Sequence, residues 1–566
     1  MKHSSRSFHA LFCLTLTITS SYAQTLPVFQ VRASQAGEAG AVKLAQQLFG
    51  LSEVHKSTNG DKSSIIVQST DGTKRVEFDN ASGGFWATDD TQLWNTDLKP
   101  KLVDEKTAIR MADEMAGKYG WLPEVKGPLK LARGRIGGTF FATEEEIPTT
   151  RGQYKRQEQQ LDVSVNYDIT IAVPSDAKTQ QEFPIIGGGG KFQVTFGDSG
   201  KLIGYQGLWR DIIEAGTKQY NVIPKAKADA QFLASAKQLS DTIDANSTIA
   251  YFSAPYGEFQ EVLYPVYVYD GTAKVGNEIV QLRRSYVPAT EFGPINTFVP
   301  EHLPARKPDP PAVRHRSLRP RSLRPRTVDD GILEAGTEWL GVPYGLGNTE
   351  KNAKGFRDQL VAGSGGWKIN FNFGNDLVWE SDFNAQDDIY VDSVDFLFYT
   401  GHANQNGWLA TMPGTGTTQM VHHSIVGISP GSPGDLWGQQ DLDWMVVAAC
   451  GPLQDAAFIS GGGNAFDRWR GAFDGLHIMF AYGSVSGDTD DEGHRLVKYA
   501  QDGAKLIDAW FRTAKELQGG SVVVTAMWAK GLQGNSRDDH LSGYGYISGD
   551  NVGIDQTTRS FMWSTC

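Results

Sequence analysis

A histidine and a cysteine each follow an apolar run in the second half of the chain. Residues 394–399 (VDFLFY) lead into Thr400-Gly401-His402, and residues 444–449 (WMVVAA) lead into Cys450. A cysteine is a strong nucleophile only as the thiolate, and a neighbouring imidazole can take the thiol proton and stabilise the resulting ion pair. These residue types therefore predict a nucleophilic dyad of His402 and Cys450.

The two apolar runs must position this dyad. Both are short, rich in β-branched and aromatic residues, and ended by Gly or Pro, which favours strands buried on both faces of a parallel sheet over helices. Functional groups in such sheets collect where the strands end, at the carboxyl edge. The sequence therefore predicts that His402 and Cys450 meet at this edge.

The sequence around these residues resembles that of the caspase, gingipain and legumain superfamily of cysteine peptidases. The superfamily pattern is an apolar strand followed by His-Gly, and then a second apolar strand followed by Ala-Cys. In this sequence His402 precedes Cys450 by about the 50 residues typical of caspases. Ala449-Cys450-Gly451 matches part of the caspase signature. Pro452, which follows, departs from it, because the signature does not call for a proline there. Ala403 stands where the superfamily usually has Gly, so a positive φ there would be strained.

The resemblance implies an α/β fold for residues 327–566, with a three-layer α/β/α arrangement around a mostly parallel sheet. It also implies hydrolysis of a protein or peptide substrate without a cofactor. Cys450 would attack the peptide carbonyl, His402 would protonate the leaving amine, and the backbone N–H groups of Cys450 and Ala403 would hold the oxyanion. Asp382 either orients His402, lines a specificity pocket, or is a solvated loop acid.

The cysteine count keeps a second function open. Of the three cysteines, Cys13 lies in the leader described below, which leaves Cys450 and Cys566. Two cysteines in an exported chain form a disulfide by default. A Cys450–Cys566 disulfide would make the chain a catalytically inactive secreted binding or scaffold protein that has kept the fold.

The start of the chain predicts export. Residues 1–23 combine Lys2 and Arg6 with an apolar run and a small-x-small cleavage site, Ser21-Tyr22-Ala23, which is typical of a secretory signal. No later segment is apolar enough for a membrane anchor, and the net charge of −12 gives no general attraction to nucleic acid or anionic membranes. We expect a secreted protein, extracellular or periplasmic, that neither binds nucleic acid nor inserts into a membrane.

The sequence predicts no metal site. His422, His423 and His494 lack a compact zinc spacing, and the acidic residues of 488–492 lack the alternating oxygen ligands of a calcium loop. A charged helix start, favoured by the helix dipole, explains the acids at 490–492 more simply.

Residues 24–303 form a predicted α+β region. Residues 104–122 and 224–239 have amphipathic helical patterns, and strand-like segments follow each of them. A helix followed by a small antiparallel sheet, twice, resembles the PepSY-type modules of peptidase propeptides. An ordinary α+β domain of any function is the alternative.

Residues 304–326 are rich in Pro, Arg and Lys and repeat the sequence RSLRP. Such a segment cannot bury a core, so we expect an exposed linker that acts as a spacer, as a basic arm for an acidic surface, or as a processing site. A region tethered by this linker is well placed to inhibit the following unit intramolecularly, as in a zymogen, although a substrate-binding domain would have the same layout.

The C-terminal unit, residues 327–566, alternates strand and helix patterns, which favours a parallel sheet. Its further predicted elements are a helix at 348–360 capped by Asn348, strands at 367–373, 476–482 and 521–527, and a long helix at 492–517.

Overall fold

The computed structural model describes residues 25–32, 37–51, 55–57, 64–119, 127–131, 134–147, 149–150, 152–174, 179–293, 298–304, 306, 331–424, 436–551 and 558–566. The predicted signal at 1–23 lies outside the described residues. So does the predicted linker at 304–326, apart from residues 304 and 306.

The described residues contain seven α-helices. They are α1 (Gly37–Phe49), α2 (Glu105–Tyr119), α3 (Lys225–Ser235), α4 (Thr349–Ala362), α5 (Ala465–Trp469), α6 (Glu492–Gln501) and α7 (Leu506–Leu517). None of them has the length and apolar character needed to cross a bilayer.

The strands that precede the predicted linker are β1 (Thr25–Arg32), β2 (His55–Ser57), β3 (Ser64–Gln68), β4 (Lys74–Asp79), β5 (Phe85–Asp89), β6 (Leu129–Leu131), β7 (Arg135–Gly137), β8 (Thr139–Glu146), β9 (Tyr154–Gln160), β10 (Val163–Pro174), β11 (Gln180–Ile186), β12 (Lys191–Phe196), β13 (Leu202–Leu208), β14 (Asp211–Asn221), β15 (Ile243–Phe252), β16 (Val262–Val275), β17 (Glu278–Gln281) and β18 (Ser285–Pro288). Those that follow it are β19 (Glu334–Trp339), β20 (Lys368–Gly374), β21 (Phe396–Thr400), β22 (Ala403–Asn404), β23 (Gly407–Thr411), β24 (Thr418–His422), β25 (Trp444–Ala448), β26 (Ile478–Tyr482), β27 (Val523–Gly531), β28 (Gly534–Asn535) and β29 (Thr558–Thr565).

A ten-stranded mixed sheet forms the centre of the C-terminal unit. Its order is β20-β19-β21-β25-β26-β27-β29-β8-β9, with β28 paired to β27. The first five strands are parallel, and the others pair antiparallel. Every residue of β21, β25 and β26 is buried, as expected of apolar strands covered on both faces. The protein is therefore a mixed α/β protein.

The two faces of this sheet pack against different elements. Phe396 and Phe398 of β21 belong to an apolar cluster with buried residues of α4, α6 and α7. Leu397 and Tyr399, which alternate with them, belong to a second cluster that includes residues of α3, α5 and many strands of the N-terminal region. One face is thus covered by helices of the C-terminal unit. On the other face Tyr399 contacts Phe383 and Trp408 of the same unit, and the apolar cluster continues from there into the N-terminal region.

The N-terminal region has an α+β organisation. Strands β2-β3-β4-β5-β13-β12-β10-β7 pair antiparallel in this order. Buried alanines and leucine of α1 and buried alanines of α2 pack on this sheet. Helix α3 packs on another group of strands, where Phe232 stacks on Tyr269 of β16 with 4.2 Å between ring centroids.

The N-terminal region and the C-terminal unit share hydrogen-bonded sheets. Strand β8 pairs antiparallel with β29, and β9 extends the sheet beyond β8. At a second place, Gln281 of β17 pairs with Ala403 of β22, the residue after His402. The division near residue 303 that the composition predicts therefore does not separate two closed sheets.

Several predicted elements form with altered details. The predicted helix at 492–517 is interrupted between α6 and α7, where Gly503 has a left-handed backbone with φ of 91°. The predicted strand at 521–527 becomes β27, which runs antiparallel to β26. Asn348 precedes α4, but its side chain donates to the Asp488 carbonyl oxygen at 2.8 Å instead of capping the helix.

Candidate active site at the carboxyl edge of the sheet

His402 and Cys450 follow neighbouring parallel strands. Thr400 at the end of β21 lies opposite Ala448 at the end of β25, and His402 and Cys450 each come two residues later. Neighbouring strands are about 4.8 Å apart. The fold therefore places both predicted residues at the same part of the carboxyl edge.

The His402 ring is held by two backbone groups. Nδ1 accepts a hydrogen bond from the Arg283 N–H at 3.1 Å, and Nε2 lies 2.9 Å from the Tyr344 carbonyl oxygen. Because a carbonyl oxygen can only accept, Nε2 carries the proton and the ring is the neutral Nε2–H tautomer. Burial lowers the pKa of His402 to about 4; the Tyr344 carbonyl opposes this shift and the Arg283 cation adds to it.

The Cys450 thiol is buried against the turn at Ser486. The Ser486 N–H donates to Sγ at 3.3 Å, and the Ser486 hydroxyl lies 3.8 Å from Sγ. Burial raises the pKa of Cys450, and the Arg283 cation and the Ser486 hydrogen bonds offset only part of this effect. The thiol is therefore protonated at neutral pH.

Arg283 comes from the N-terminal region and enters the C-terminal unit at this edge. Its side chain is fully buried, and its guanidinium donates to the Thr400 hydroxyl at 2.8 Å and to the Ala448 carbonyl oxygen at 2.7 Å. It also forms a salt bridge of 2.9 Å with Glu492 at the start of α6. Arg283 thus contacts the ends of both strands that carry the predicted dyad.

Neutral donors complete the environment of Glu492. Its carboxylate accepts hydrogen bonds from the Tyr482 hydroxyl at 2.6 Å, the Asn352 amide at 2.6 Å and the Gln518 amide at 2.8 Å. A buried ion pair is tolerated when such additional hydrogen bonds satisfy its remaining atoms. Burial opposes the charge of Arg283, but Glu492 outweighs burial and raises the pKa of Arg283 above its usual value.

In this arrangement His402 and Cys450 do not form a thiolate–imidazolium pair. Nδ1 of His402 is occupied by the Arg283 N–H, and Nε2 already carries a proton, so neither nitrogen can take the proton of Cys450. The raised pKa of Cys450 and the lowered pKa of His402 both favour the neutral forms. The site would gain a general base at Nδ1 only if Arg283 moved away.

The backbone at the two motifs is unstrained. Ala403 lies in β22 and is not one of the left-handed non-glycine residues of the described chain, so alanine needs no unusual conformation there. Gly451, directly after Cys450, has a φ of 80°, a conformation that glycine adopts without a steric penalty.

Asp382 has a different partner from the predicted one. Its side chain is fully buried and forms a bidentate salt bridge with Arg306, with two distances of 2.7 Å. The Arg306 guanidinium also lies 3.8–4.2 Å from the ring centroids of Phe373, Trp379 and Tyr390. The interpretation of Asp382 as a solvated loop acid is therefore wrong, and Arg306 rather than His402 is the group that it holds.

The alternative Cys450–Cys566 disulfide is not formed, since both cysteines are free and buried. Cys566 follows β29, which lies three strand positions from β25 in the sheet. At about 4.8 Å per position the two strand ends are roughly 14 Å apart. A disulfide requires Cα atoms within about 7 Å of each other, so the sheet keeps the two thiols apart.

His422, His423, His494 and the acids of residues 488–492 do not form one metal-binding cluster among the described residues. The rings of His422 and His423 stack with 4.5 Å between centroids, and Nδ1 of His494 in α6 lies 2.9 Å from Asp491, the residue before that helix. Asp488 accepts a hydrogen bond from the Gly347 N–H at 2.8 Å. His494 therefore contacts the acidic run at Asp491, but no cluster of metal-ligating groups among the described residues joins His422 and His423 to it.

No sequence pattern singles out Arg283, and Glu492 is predicted only as a helix-start acid. The two residues are 209 positions apart, and Arg283 lies in the region that was predicted to be a separate unit. The only sequence feature at residues 283–284 is a pair of arginines after a short strand, and this pair does not indicate that Glu492 is the partner of Arg283.

Residues 337–565 match the family model described as a domain of unknown function (DUF6345). This match starts within β19 and ends within β29, so it includes both His402 and Cys450. No curated protein matches the chain. One similar solved structure is that of an uncharacterized protein from Eubacterium rectale ATCC 33656, with 11% identity and a TM-score of 0.26 over 48% of this chain and 85% of that chain.

Proposed function

We propose that this protein is an exported cysteine peptidase held in a latent state by its own N-terminal region. One observation carries the proposal: Arg283, from that region, binds the His402 ring through its N–H, and its cation acts on the Cys450 thiol. A histidine and a cysteine at adjacent strand ends are the groups that nucleophilic catalysis needs. The Arg283 N–H occupies Nδ1, the nitrogen through which His402 would act as a base.

The finer fold proposed for residues 327–566 is a variant of the caspase, gingipain and legumain arrangement. Its support is the parallel pairing of β21 with β25 and the helical layer of α4, α6 and α7 on one face. On the opposite face an apolar cluster continues from the C-terminal unit into the N-terminal region, which is compatible with a PepSY-like propeptide that stays bound.

Withdrawal of residues 281–284 would release the general base. The Nε2–H of His402 would keep its hydrogen bond to Tyr344, which fixes the ring, while Nδ1 would lose Arg283. Nδ1 could then take the proton of Cys450, and the thiolate would attack the substrate carbonyl carbon. The imidazolium would return this proton to the amine as the C–N bond breaks, with the N–H groups of Cys450 and Ala403 holding the oxyanion.

Arg283 also indicates the side chain that the site accepts. The Thr400 hydroxyl, the Ala448 carbonyl and the Glu492 carboxylate surround a guanidinium in this structure. The planar fork of arginine matches such a set of acceptors, whereas the compact ammonium of lysine does not. We therefore infer a protein or peptide substrate with arginine at the position that Arg283 occupies.

Covalent labelling of the full chain tests this proposal. The probes are acyloxymethyl ketones with arginine, or aspartate in its place, beside the reactive group. We expect slow labelling of the wild type and no labelling of Cys450→Ala. Arg283→Met should be labelled faster by the arginine probe, because the loss of the guanidinium contacts lets residues 281–284 withdraw together with the backbone N–H that occupies His402 Nδ1. Arg284→Met is the matched control, because Arg284 is the next residue and pairs with Asp270 at 2.6 Å near the surface.

The stability of each variant is measured alongside labelling. Arg283→Met leaves Glu492 as an unpaired buried charge, so the double variant Arg283→Met/Glu492→Gln is included to remove that charge. Equal labelling of Arg283→Met and Arg284→Met would contradict the proposal. So would labelling that persists in Cys450→Ala.

A silent binding or scaffold protein is the second candidate function. It is favoured by the complete burial of the Arg283–Glu492 pair, which joins strand ends and α6 as a structural core would. In this case removal of Arg283 lowers stability, and Cys450 stays unlabelled in every folded variant.

A further inference from the structure

Another buried histidine lies at the opposite, amino edge of the parallel strands. His477 directly precedes β26, and Asp443 directly precedes the neighbouring β25. Asp539 and Asp550 reach the same place from the segment between β28 and β29. All four residues belong to the C-terminal unit.

The Nδ1 side of His477 is fixed by one carboxylate. Nδ1 lies 2.6 Å from Oδ2 of Asp539. Asp539 also accepts hydrogen bonds from the Trp444 indole N–H at 3.2 Å and from the Ser548 N–H at 2.8 Å. Because the oxygens of Asp539 act as acceptors, Nδ1 carries the proton. A carboxylate that orients a histidine in this way is the usual outer partner of a metal-ligating imidazole.

The Nε2 side of His477 faces two further carboxylates. Nε2 lies 3.5 Å from Oδ1 of Asp443 and 3.4 Å from Oδ1 of Asp550. The His477 side chain is only 1% exposed, and within the part of the chain that the structure describes Nε2 has no hydrogen-bond partner. A nitrogen lone pair directed at carboxylate oxygens is unfavourable unless a positive centre lies between them.

The distances fit a metal ion as that centre. In a tetrahedral zinc site with bonds of about 2.1 Å, two ligand atoms are about 3.4 Å apart. The two separations from Nε2 are 3.5 and 3.4 Å, and the ligand atoms of Asp443, His477 and Asp550 all lie within 4.8 Å of one another.

We propose that Asp443, His477 and Asp550 bind a divalent transition-metal ion, with zinc as the best match and water as the fourth ligand. One imidazole and two carboxylates are a suitable ligand set for zinc. The side chains of Asp443 and Asp550 are 24% and 41% exposed, which gives the ion a path from solvent. The ion would fasten the segment before β29 to the starts of β25 and β26.

A proton on Nε2 is the competing positive centre. Burial disfavours the imidazolium, but the carboxylates of Asp443, Asp539 and Asp550 outweigh burial and raise the pKa of His477 to about 10. Metal binding must displace this proton, so the affinity falls as the pH is lowered.

Metal titration of the full chain tests the proposal. Chelator-treated protein is titrated with Zn²⁺, with bound metal measured by mass spectrometry and stability by thermal unfolding, and with Co²⁺, followed by visible absorption. We expect one ion per chain, a higher unfolding temperature, and an affinity more than about tenfold lower in Asp443→Asn and Asp550→Asn. These residues are chosen because both side chains are partly exposed, so the variants should fold.

Asp538→Asn is the matched control. Asp538 lies in the same segment, its side chain is 45% exposed, and it pairs with Lys505. This variant should bind metal as the wild type does. Less than one ion bound per wild-type chain, or equal affinities in the wild type and both ligand variants, would overturn the proposal and leave His477 as a protonated residue among carboxylates.

Discussion

The two edges of the parallel sheet each hold a buried histidine, and the two histidines have opposite surroundings. His402, at the carboxyl edge, contacts two backbone groups and lies near the Arg283 cation, and its pKa is lowered to about 4. His477, at the amino edge, lies within 3.5 Å of three carboxylates, and its pKa is raised to about 10. Both rings are almost fully buried. Burial favours the neutral form of both rings, and only the carboxylates around His477 reverse this preference.

The edges also differ in which part of the chain builds them. Arg283 and Arg306 come from the residues before the C-terminal unit, and both insert near the ends of its strands. The amino-edge cluster is built entirely by residues 443–550. Changes in the N-terminal region should therefore affect the carboxyl edge and leave the amino edge intact.

Breaking the Arg283–Glu492 pair should have the largest effect on stability. Glu492→Ala leaves the Arg283 charge buried without its partner, so the free energy of unfolding should fall by about 3–5 kcal/mol. Urea denaturation measures this loss. The Arg284–Asp270 pair is the control, because its side chains are 32% and 48% exposed and its removal should change stability by about 1 kcal/mol or less. Similar losses for both pairs would show that the carboxyl edge does not depend on Arg283.

Acid should destabilise the protein through His402. The pKa of His402 falls from 6.5 to about 4 on folding, so between these values the unfolded chain binds more protons than the folded chain. Stability from this residue is present above pH 6.5 and is lost as the pH falls towards 4. Between pH 7 and pH 4.5, the wild type should lose about 2–3 kcal/mol more than His402→Gln, as measured by urea denaturation at both pH values. If the wild type and His402→Gln showed the same pH dependence of stability, the lowered pKa of His402 would be contradicted, and with it the contrast with His477.

Limited digestion with trypsin should alter neither edge. Cleavage should begin within residues 307–326, whereas the bond after Arg306 should resist, because that side chain is only 8% exposed and is held by Asp382 and three aromatic rings. The fragments should elute together, since β8 remains paired with β29. Gel filtration and intact mass measure both results. Dissociation of the fragments, or first cleavage after Arg306, would contradict this description of how the N-terminal region is attached.

Local patterns predicted the elements of the site but not their assembly. The runs at 394–399 and 444–449 have strong strand signals, and they form the parallel pair β21 and β25. The carboxyl-edge positions of His402 and Cys450 follow from this pairing. The Arg283–Glu492 contact could not be predicted, because it joins residues 209 positions apart and no local pattern encodes such a partner.

The helices show the same limit. The patterns at 104–122 and 224–239 predicted α2 and α3 to within a few residues. The direction of β27 was not predicted, because an apolar strand has the same pattern in a parallel and an antiparallel pair. The partner of Asp382 was missed because a charged residue in a loop is usually solvated, whereas Arg306 and its aromatic neighbours bury this one.

The pairing of β8 with β29 has a consequence for biosynthesis. The hydroxyls of Thr139 and Ser564 are hydrogen bonded at 3.1 Å, yet the two residues are 425 positions apart. At about 5–20 residues per second, the ribosome needs tens of seconds to make the chain between them. During this time β9 can protect one side of β8, but the other side is an open edge that can pair with other chains. Nascent chains that stop before β29 should therefore be prone to aggregation, and a holding chaperone would be needed until the final strand is made.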